Sequence, residues 1–337
     1  MLPTVSPPPP KRVALVKLGA IGDVANTLPL ANRLRRAWPE VHLTWLIAPL
    51  AHGLVKGHPA IDRFLVCDLK AKGGWRRALR DVRAARFDLA LDLQRIQKSG
   101  LLTLATGAPR RLGFDRARCK ELSYVFTNER ISPNPRPGVT VAQYLEFADH
   151  LGARESAPEW RIPFVRWSEE LRGGRPQITL GLGASKPANR WPDRHWEDLV
   201  HSLSHEQGLS VHLCGGPEDV PLGAKLARIS PTVMDWTGRL NLRESAGLIE
   251  AGDLFIGGDT GLLHIAVGVG TEVIALFGAA DPLRTGPFLR PDSVLREAVT
   301  CAPCRKRRCP VAGHPCLERL RASRVGAAAA LCLSKLS

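Results

Sequence analysis

The stretch Leu254-Phe255-Ile256-Gly257-Gly258-Asp259-Thr260-Gly261-Leu262-Leu263-His264 decides how this chain is read. An apolar run meets a Gly-Gly-Asp-Thr-Gly turn, and a small-residue run follows from Ile265 to Gly270. That order predicts a buried strand, a tight turn and a helix start. A helix start offers unpaired backbone N–H groups and the positive end of a dipole, which together suit a phosphate. Asp259 and Thr260 stand where capping residues belong, and His264 falls about one turn in, on the same side. Ordinary turn-and-cap punctuation accounts for the same residues, so the rest of the chain has to arbitrate.

Moving outward, the same strand-turn-helix rhythm recurs. Ile178 to Leu182, Leu209 to Leu213 and Val273 to Gly278 read as strands, with helical periodicity over Trp196 to Leu203 and Leu242 to Ala251. An earlier half repeats it. Val13 to Val16, Val41 to Ile47, Arg63 to Cys67 and Phe87 to Leu93 are strand-like, with helical stretches over Asp23 to Trp38 and Leu79 to Ala85. Strands alternating with helices predict parallel sheets in doubly wound α/β domains. The expected organisation is a Pro-rich disordered lead-in over 1–11, a Rossmann-like domain over 12–160 and a linker over 161–176. A second Rossmann-like domain follows over 177–325, then a tail over 326–337. Ligands of such sheets sit at the carboxyl ends of strands, and one held between two such domains would touch both.

The chain has 337 residues and a net charge of +15. Residues 1–175 carry 29 Lys and Arg against 16 Asp and Glu, whereas residues 176–337 carry 18 against 16. The basic first half calls for an anionic partner. A nucleic-acid-binding protein is the rival of a different class, but aromatic residues make up only 6% and no recognition motif is present. A nicotinamide-dependent oxidoreductase lacks its G-x-G-x-x-G fingerprint here. There is no apolar signal-peptide core and no run of about 18 apolar residues, so a cytoplasmic location is expected.

Three further loops carry candidate chemistry. Lys17-Leu18-Gly19-Ala20-Ile21-Gly22-Asp23 follows the first strand and sets Asp23 at a helix start, as an N-cap or as a general base. Gly183-Ala184-Ser185-Lys186-Pro187-Ala188-Asn189-Arg190-Trp191-Pro192 follows the first strand of the second half, where Ser185, Lys186 and Arg190 suit phosphate oxygens. Cys214-Gly215-Gly216-Pro217-Glu218 ends a strand with a carboxylate suited to a base or a ribose hydroxyl.

Taken together, V-K-L-G-A-I-G-D-V-A-N-T-L-P, G-A-S-K-P-A-N-R-W-P, G-G-P-E, W-T-G-R-L-N-L and G-G-D-T-G-L-L-H resemble the bacterial lipopolysaccharide heptosyltransferases, glycosyltransferase family 9. The resemblance spans roughly residues 12 to 325. It implies a GT-B fold, with two Rossmann-like domains facing across a cleft. It also implies inverting transfer of a heptose from ADP-heptose to the lipopolysaccharide inner core. By that resemblance Asp23 matches the catalytic base and Asp259 a donor-sugar contact. Thr260, Gly261 and His264 match the diphosphate surroundings, Ser185 a phosphate contact, Glu218 a nucleoside contact and Leu240 an adenine-packing position. Many members carry Lys before the Arg-Trp-Pro of the second loop; here Asn189 stands there, so Lys186 or Arg190 is left to supply the cation. Lys17, Gly22, Arg116, Arg118 and Lys120 are expected on the acceptor side, at an anionic substrate on the inner face of the cytoplasmic membrane. No cofactor is expected for the chemistry. A donor other than ADP-heptose, or an acceptor other than lipopolysaccharide, is the alternative within the family.

Of 8 cysteines, Cys301, Cys304, Cys309 and Cys316 cluster with spacings x2, x4 and x6. In a cytosolic chain such clustering favours metal over disulfides, so a structural zinc or iron site is the expectation, with reduced uncoordinated thiols as the alternative.

Overall fold

The computed structural model describes residues 8–153, 156–167 and 176–336. Residues 1–7 of the expected lead-in and 168–175 of the expected linker lie outside the described residues. The chain divides into two compact units. One comprises residues up to Pro137 with Val141–Arg161, and the other Ile162 onward with Gly138–Thr140.

The first unit holds a six-stranded sheet built from β1 (Arg12–Val16), β2 (His42–Ile47), β3 (Arg63–Val66), β4 (Leu89–Asp92), β5 (Arg110–Gly113) and β6 (Glu129–Arg130). Every described pairing is parallel, in the order β3-β2-β1-β4-β5-β6. β1 is central, with Leu15 opposite Trp45 on one side and Leu91 on the other. Val13 to Val16 are wholly buried, as a strand covered on both faces by crossover helices must be. The second unit repeats the plan with β7 (Gln177–Gly181), β8 (Ser210–Cys214), β9 (Val233–Asp235), β10 (Leu254–Gly258), β11 (Glu272–Phe277) and β12 (Val294–Arg296), in the order β12-β11-β10-β7-β8-β9. Its core joins Ile178, Leu180, Leu213 and Ile256 from the strands to Trp196, Leu199 and Leu203.

The helical stretch expected over Asp23 to Trp38 is two helices, Ile21–Ala25 and Leu28–Ala37. The break at Asn26 and Thr27 precedes Pro29, which sits in the first turn of the second helix, where proline needs no N–H partner. β5, β6, β9 and β12 were not anticipated. They are short, and β5 reads Arg-Arg-Leu-Gly, without an apolar run of its own.

The expected linker and the residues just before it are docked rather than loose where they are described. Glu159 and Trp160 accept hydrogen bonds from Asn32 Nδ2 through their carbonyls, at 2.7 and 3.3 Å, within the first unit. Trp167 donates its indole N–H to the Glu244 carbonyl at 3.0 Å and meets Trp236 edge-on at 4.8 Å, within the second. At the other end, the helix Ala322–Leu333 continues through the start of the expected tail, and its Val325 and Ala329 are in the core.

The helix Leu242–Ala251 takes the Val165 strap very closely. A Cβ at Gly247 would lie 1.8 Å from the Val165 carbonyl oxygen. Alanine is intrinsically the better helix former by about 1 kcal/mol, so the sign of the effect tests the packing. Gly247→Ala is expected to lower the urea unfolding free energy by about 1–3 kcal/mol through overpacking; an unchanged or raised value contradicts this contact.

Candidate active site

In each sheet the strand order reverses beside the first strand: between β1 and β4 in one unit, and between β7 and β10 in the other. Successive crossovers leave in opposite directions there, so the carboxyl ends of those two strands open a crevice. The loops singled out in the sequence lie at these two points.

In the first unit, β1 runs into Lys17 and the Leu18-Gly19-Ala20 loop, and then the helix Ile21–Ala25 carries Asp23 in its first turn. Lys17 Nζ donates to Asp23 Oδ2 at 2.9 Å, with the lysine side chain 2% exposed and the aspartate 37%. The same ammonium lies 3.4 Å from the Leu93 carbonyl and 5.2 Å from the centre of the Tyr144 ring. Burial alone would depress the Lys17 ammonium, but Asp23 and Tyr144 outweigh it and hold its pKa above the ordinary value. Lys17 was expected to contact an acceptor; it is instead 1% exposed and occupied by the carboxylate beside it.

From β4, Asp92 and Gln94 complete this crevice. Gln94 Oε1 accepts from the Leu18 and Gly19 N–H groups at 3.0 and 3.3 Å, pinning the β1 loop. Burial pushes the Asp92 carboxyl up to about 6, against the Gln94 N–H, Ser99, the Arg95 N–H and Lys17, all of which favour the charged form. Neither residue was anticipated. The only signal was an Asp closing an apolar strand, whose neighbour across the sheet cannot be read from spacing.

The three acceptor-side cations expected after β5 divide. Arg118 is nine-tenths buried, paired with Asp115 and with Glu146 at 2.7 Å, and lies 5.1 Å over the Phe114 ring, so its guanidinium is a structural tie. Arg116 is exposed and lies 4.9 Å over the Tyr124 ring, and Lys120 is exposed. Gly22 is buried in the short helix.

In the second unit, β10 ends at Gly258, and Thr260 occupies the N-cap position of the helix Gly261–Val269 without a side-chain capping hydrogen bond. Asp259 is held between Asn189 Nδ2, 3.3 Å from Oδ2, and His264 Nε2, 3.9 Å from Oδ1. Asn189, which stands where a lysine was expected, donates to Asp259. Two polar atoms beside this contact, Asn189 Oδ1 and Thr260 Oγ1, are buried and have no hydrogen-bond partner. Buried polar atoms are nearly always satisfied, so an unsatisfied pair flanking a carboxylate at a helix start marks a place for ligand or water.

Arg190 was expected on a phosphate; its Nη2 is instead 3.0 Å from Oδ1 of Asp219, whose side chain is 1% exposed. Asp219 presses between two loops: a Cβ at Gly183 would lie 2.4 Å from its Oδ2, and the Gly216 N–H donates to that oxygen at 2.9 Å. Ser185 and Glu218 are exposed on these loops, while Lys186 and Leu240 are half-buried.

The cysteine-rich segment packs beside the same loop. Ala188 N–H donates to the Arg307 carbonyl at 3.2 Å, and His314 Nε2 is 2.9 Å from the Ala188 carbonyl. Among the described residues no three His, Cys, Asp or Glu side chains converge to hold a metal ion. Cys301, Cys304, Cys309 and Cys316, the ligand set expected of a structural zinc or iron, form no disulfide and do not converge in this way, and burial of Cys316 against the core raises its pKa.

A family profile described as glycosyltransferase family 9 (heptosyltransferase) matches residues 75–314. The chain is 34% identical over 301 residues to lipooligosaccharide heptosyltransferase 2 of Haemophilus influenzae, covering 82% of this chain and 86% of the relative. It is 26% identical over 299 residues to lipopolysaccharide core heptosyltransferase OpsX of the same organism, covering 85% and 84%. Its fold matches that of ADP-heptose lps heptosyltransferase II of Escherichia coli with a TM-score of 0.76, at 21% identity, over 97% of this chain and all of that one.

The Asp92 environment yields a pH prediction. Its folded pKa, about 6, stands above the ordinary carboxylate value of about 3.9. Between those limits the folded chain keeps a proton that the unfolded chain has lost, so this residue's contribution to stability falls as pH rises and is lowest above pH 6. The stability of wild type relative to Asp92→Asn is expected to drop by about 2 kcal/mol between pH 4 and pH 7. Denaturant titrations of both proteins across that range measure it; a difference flat in pH would contradict the raised value.

Proposed function

The chain belongs to glycosyltransferase family 9, and we propose that it transfers a heptose from ADP-heptose to the inner core of lipopolysaccharide, with inversion. The observation that carries the reading is the pair of switch-point sites. One places a carboxylate beside a buried ammonium, and the other places a carboxylate and two unsatisfied polar atoms at a helix start. A single displacement needs both kinds: a base for the acceptor and charge stabilisation for the leaving group.

In this reading Asp23 takes the proton of the acceptor hydroxyl as that oxygen attacks the anomeric carbon. The bond from that carbon to the diphosphate breaks, and ADP leaves. The N–H groups and dipole at the start of Gly261–Val269, with the Thr260 hydroxyl, receive the diphosphate. Asp259, steadied by Asn189 and His264, holds hydroxyls of the donor sugar. Lys186, half-buried on its loop, is the better candidate for the leaving-group cation, because Arg190 is committed to Asp219.

The acceptor implied by this reading is anionic and membrane-borne. No helix among the described residues is long and apolar enough to cross a membrane. The first unit instead exposes Arg76, Arg77, Arg80 and Arg83 on one helix. The adjoining helix Gln97–Ala105 exposes Leu101 and Leu104. Exposed leucines among cations suit peripheral contact with an anionic bilayer.

A donor panel tests the chemistry. Incubated with ADP-, UDP- and GDP-sugars and a lipopolysaccharide-core acceptor, the protein is expected to release nucleotide from ADP-heptose, and Asp23→Ala to lose at least about 100-fold of that rate. Turnover only with UDP- or GDP-sugars, or near-wild-type activity of Asp23→Ala, refutes the corresponding assignment. For the surface, co-sedimentation with phosphatidylglycerol vesicles but not with pure phosphatidylcholine is expected. Added salt and the double change Leu101→Glu, Leu104→Glu should each weaken it; equal binding to both vesicle types counts against this contact.

A further inference from the structure

Lys17 and Tyr144 take no step in the mechanism just described, yet Lys17 is paired with Asp23 and its ammonium lies over the Tyr144 ring. Both are 1% exposed. An ammonium is costly to remove from water and stays only where partners replace its hydration. A methionine at this position would fill the same space without that cost. The partners arrive from separate elements. Asp23 Oδ2 at 2.9 Å comes from the helix Ile21–Ala25, the Leu93 carbonyl at 3.4 Å from the end of β4, and the Tyr144 ring at 5.2 Å from the helix Thr140–His150. Tyr144 is itself wedged against Phe114, with ring centres 6.3 Å apart, and so cannot readily retreat.

We infer that Lys17 is a positioning residue for the base, rather than an acceptor contact: its ammonium, backed by Tyr144 and the Leu93 carbonyl, anchors Asp23 Oδ2 and orients the carboxylate toward the acceptor hydroxyl. The inference rests on Asp23 being the base. Lys17 keeps its own proton throughout; the acceptor proton passes to Asp23 alone. The ammonium also favours the charged carboxylate, so it extends the acid side of the working range. Other titratable and charged groups around the pair include Asp92 from β4, Arg95 after it and Tyr144. Asp92, at about 6, titrates in the window where an acid limb would be read.

The experiment is a pH profile of kcat for the full chain with donor and acceptor, for wild type and Lys17→Met. Both are also measured in an Asp92→Asn background, which removes that titration. Lys17→Met is expected to move the acid limb up by about one pH unit and to lower kcat by about tenfold, leaving the acceptor KM within about twofold. Lys17→Arg is expected to restore much of the limb, and Tyr144→Leu to shift it less, in the same direction. An unmoved limb in Lys17→Met overturns the inference, as does a raised acceptor KM with kcat unchanged, which would make Lys17 an acceptor contact. Should Lys17→Met fail to fold, as judged by its thermal transition, Tyr144→Leu and Lys17→Arg decide by the same limb. If Asp23→Ala retains activity, the base assignment itself falls; if Asp23→Ala is inactive and the limb is unmoved, only the positioning role does.

Discussion

The reversal of strand order beside the first strand of each sheet is the constraint on which everything else depends. Parallel strands need crossover connections, and crossovers are right-handed, so a sheet grown in both directions from its first strand leaves one gap in its helical cover. β1 with β4, and β7 with β10, make that gap in the two units. The backbone ends that open there carry Lys17 and Asp92 in one, and Gly181 and Gly258 in the other. The site residues lie where they do because topology leaves no other uncovered strand ends between two central strands.

Within those gaps the chain accepts buried charge that a plain core would avoid. Lys17 against Asp23 and Arg190 against Asp219 each bring an ion deep enough to need a charged partner, with the Leu93 carbonyl and the Gly216 N–H adding to the compensation. Asp92 is the less compensated case, and its raised pKa reflects it: hydrogen bonds from Gln94 and its neighbours offset the burial only in part. Such pairs cost stability relative to apolar packing. They fix side-chain direction in return, which is what a base or a sugar-binding carboxylate requires.

The cysteine-rich segment illustrates a different outcome. Its spacing suggested a ligand set, whereas the segment lies along the loop that carries Asn189, tied by the Arg307 carbonyl and His314 to Ala188. Backbone hydrogen bonds, invisible to a reading of side-chain types, give it a place beside the candidate donor site.

Much of the architecture was legible in order of elements. Apolar runs such as Val13 to Val16 and Leu254 to Ile256 are buried on both faces and so announce themselves, and Gly257 to His264 reads as a strand, turn and helix because each residue type has one local use there. The edge strands β6, β9 and β12 and the four-residue β5 beside β6 were not legible, since strands this short carry no periodic signal. By itself the sequence determined the α/β class, the two-fold repetition and the candidates Asp23 and Asp259. Only the tertiary structure decided that Lys17 meets Asp23, that Arg190 meets Asp219, that Arg118 is tied to Glu146 and that Asn189 meets Asp259. The reason is physical: a charged side chain's role is set by which partner lies within about 3 Å once it leaves water, and those partners stand up to 70 residues away along the chain.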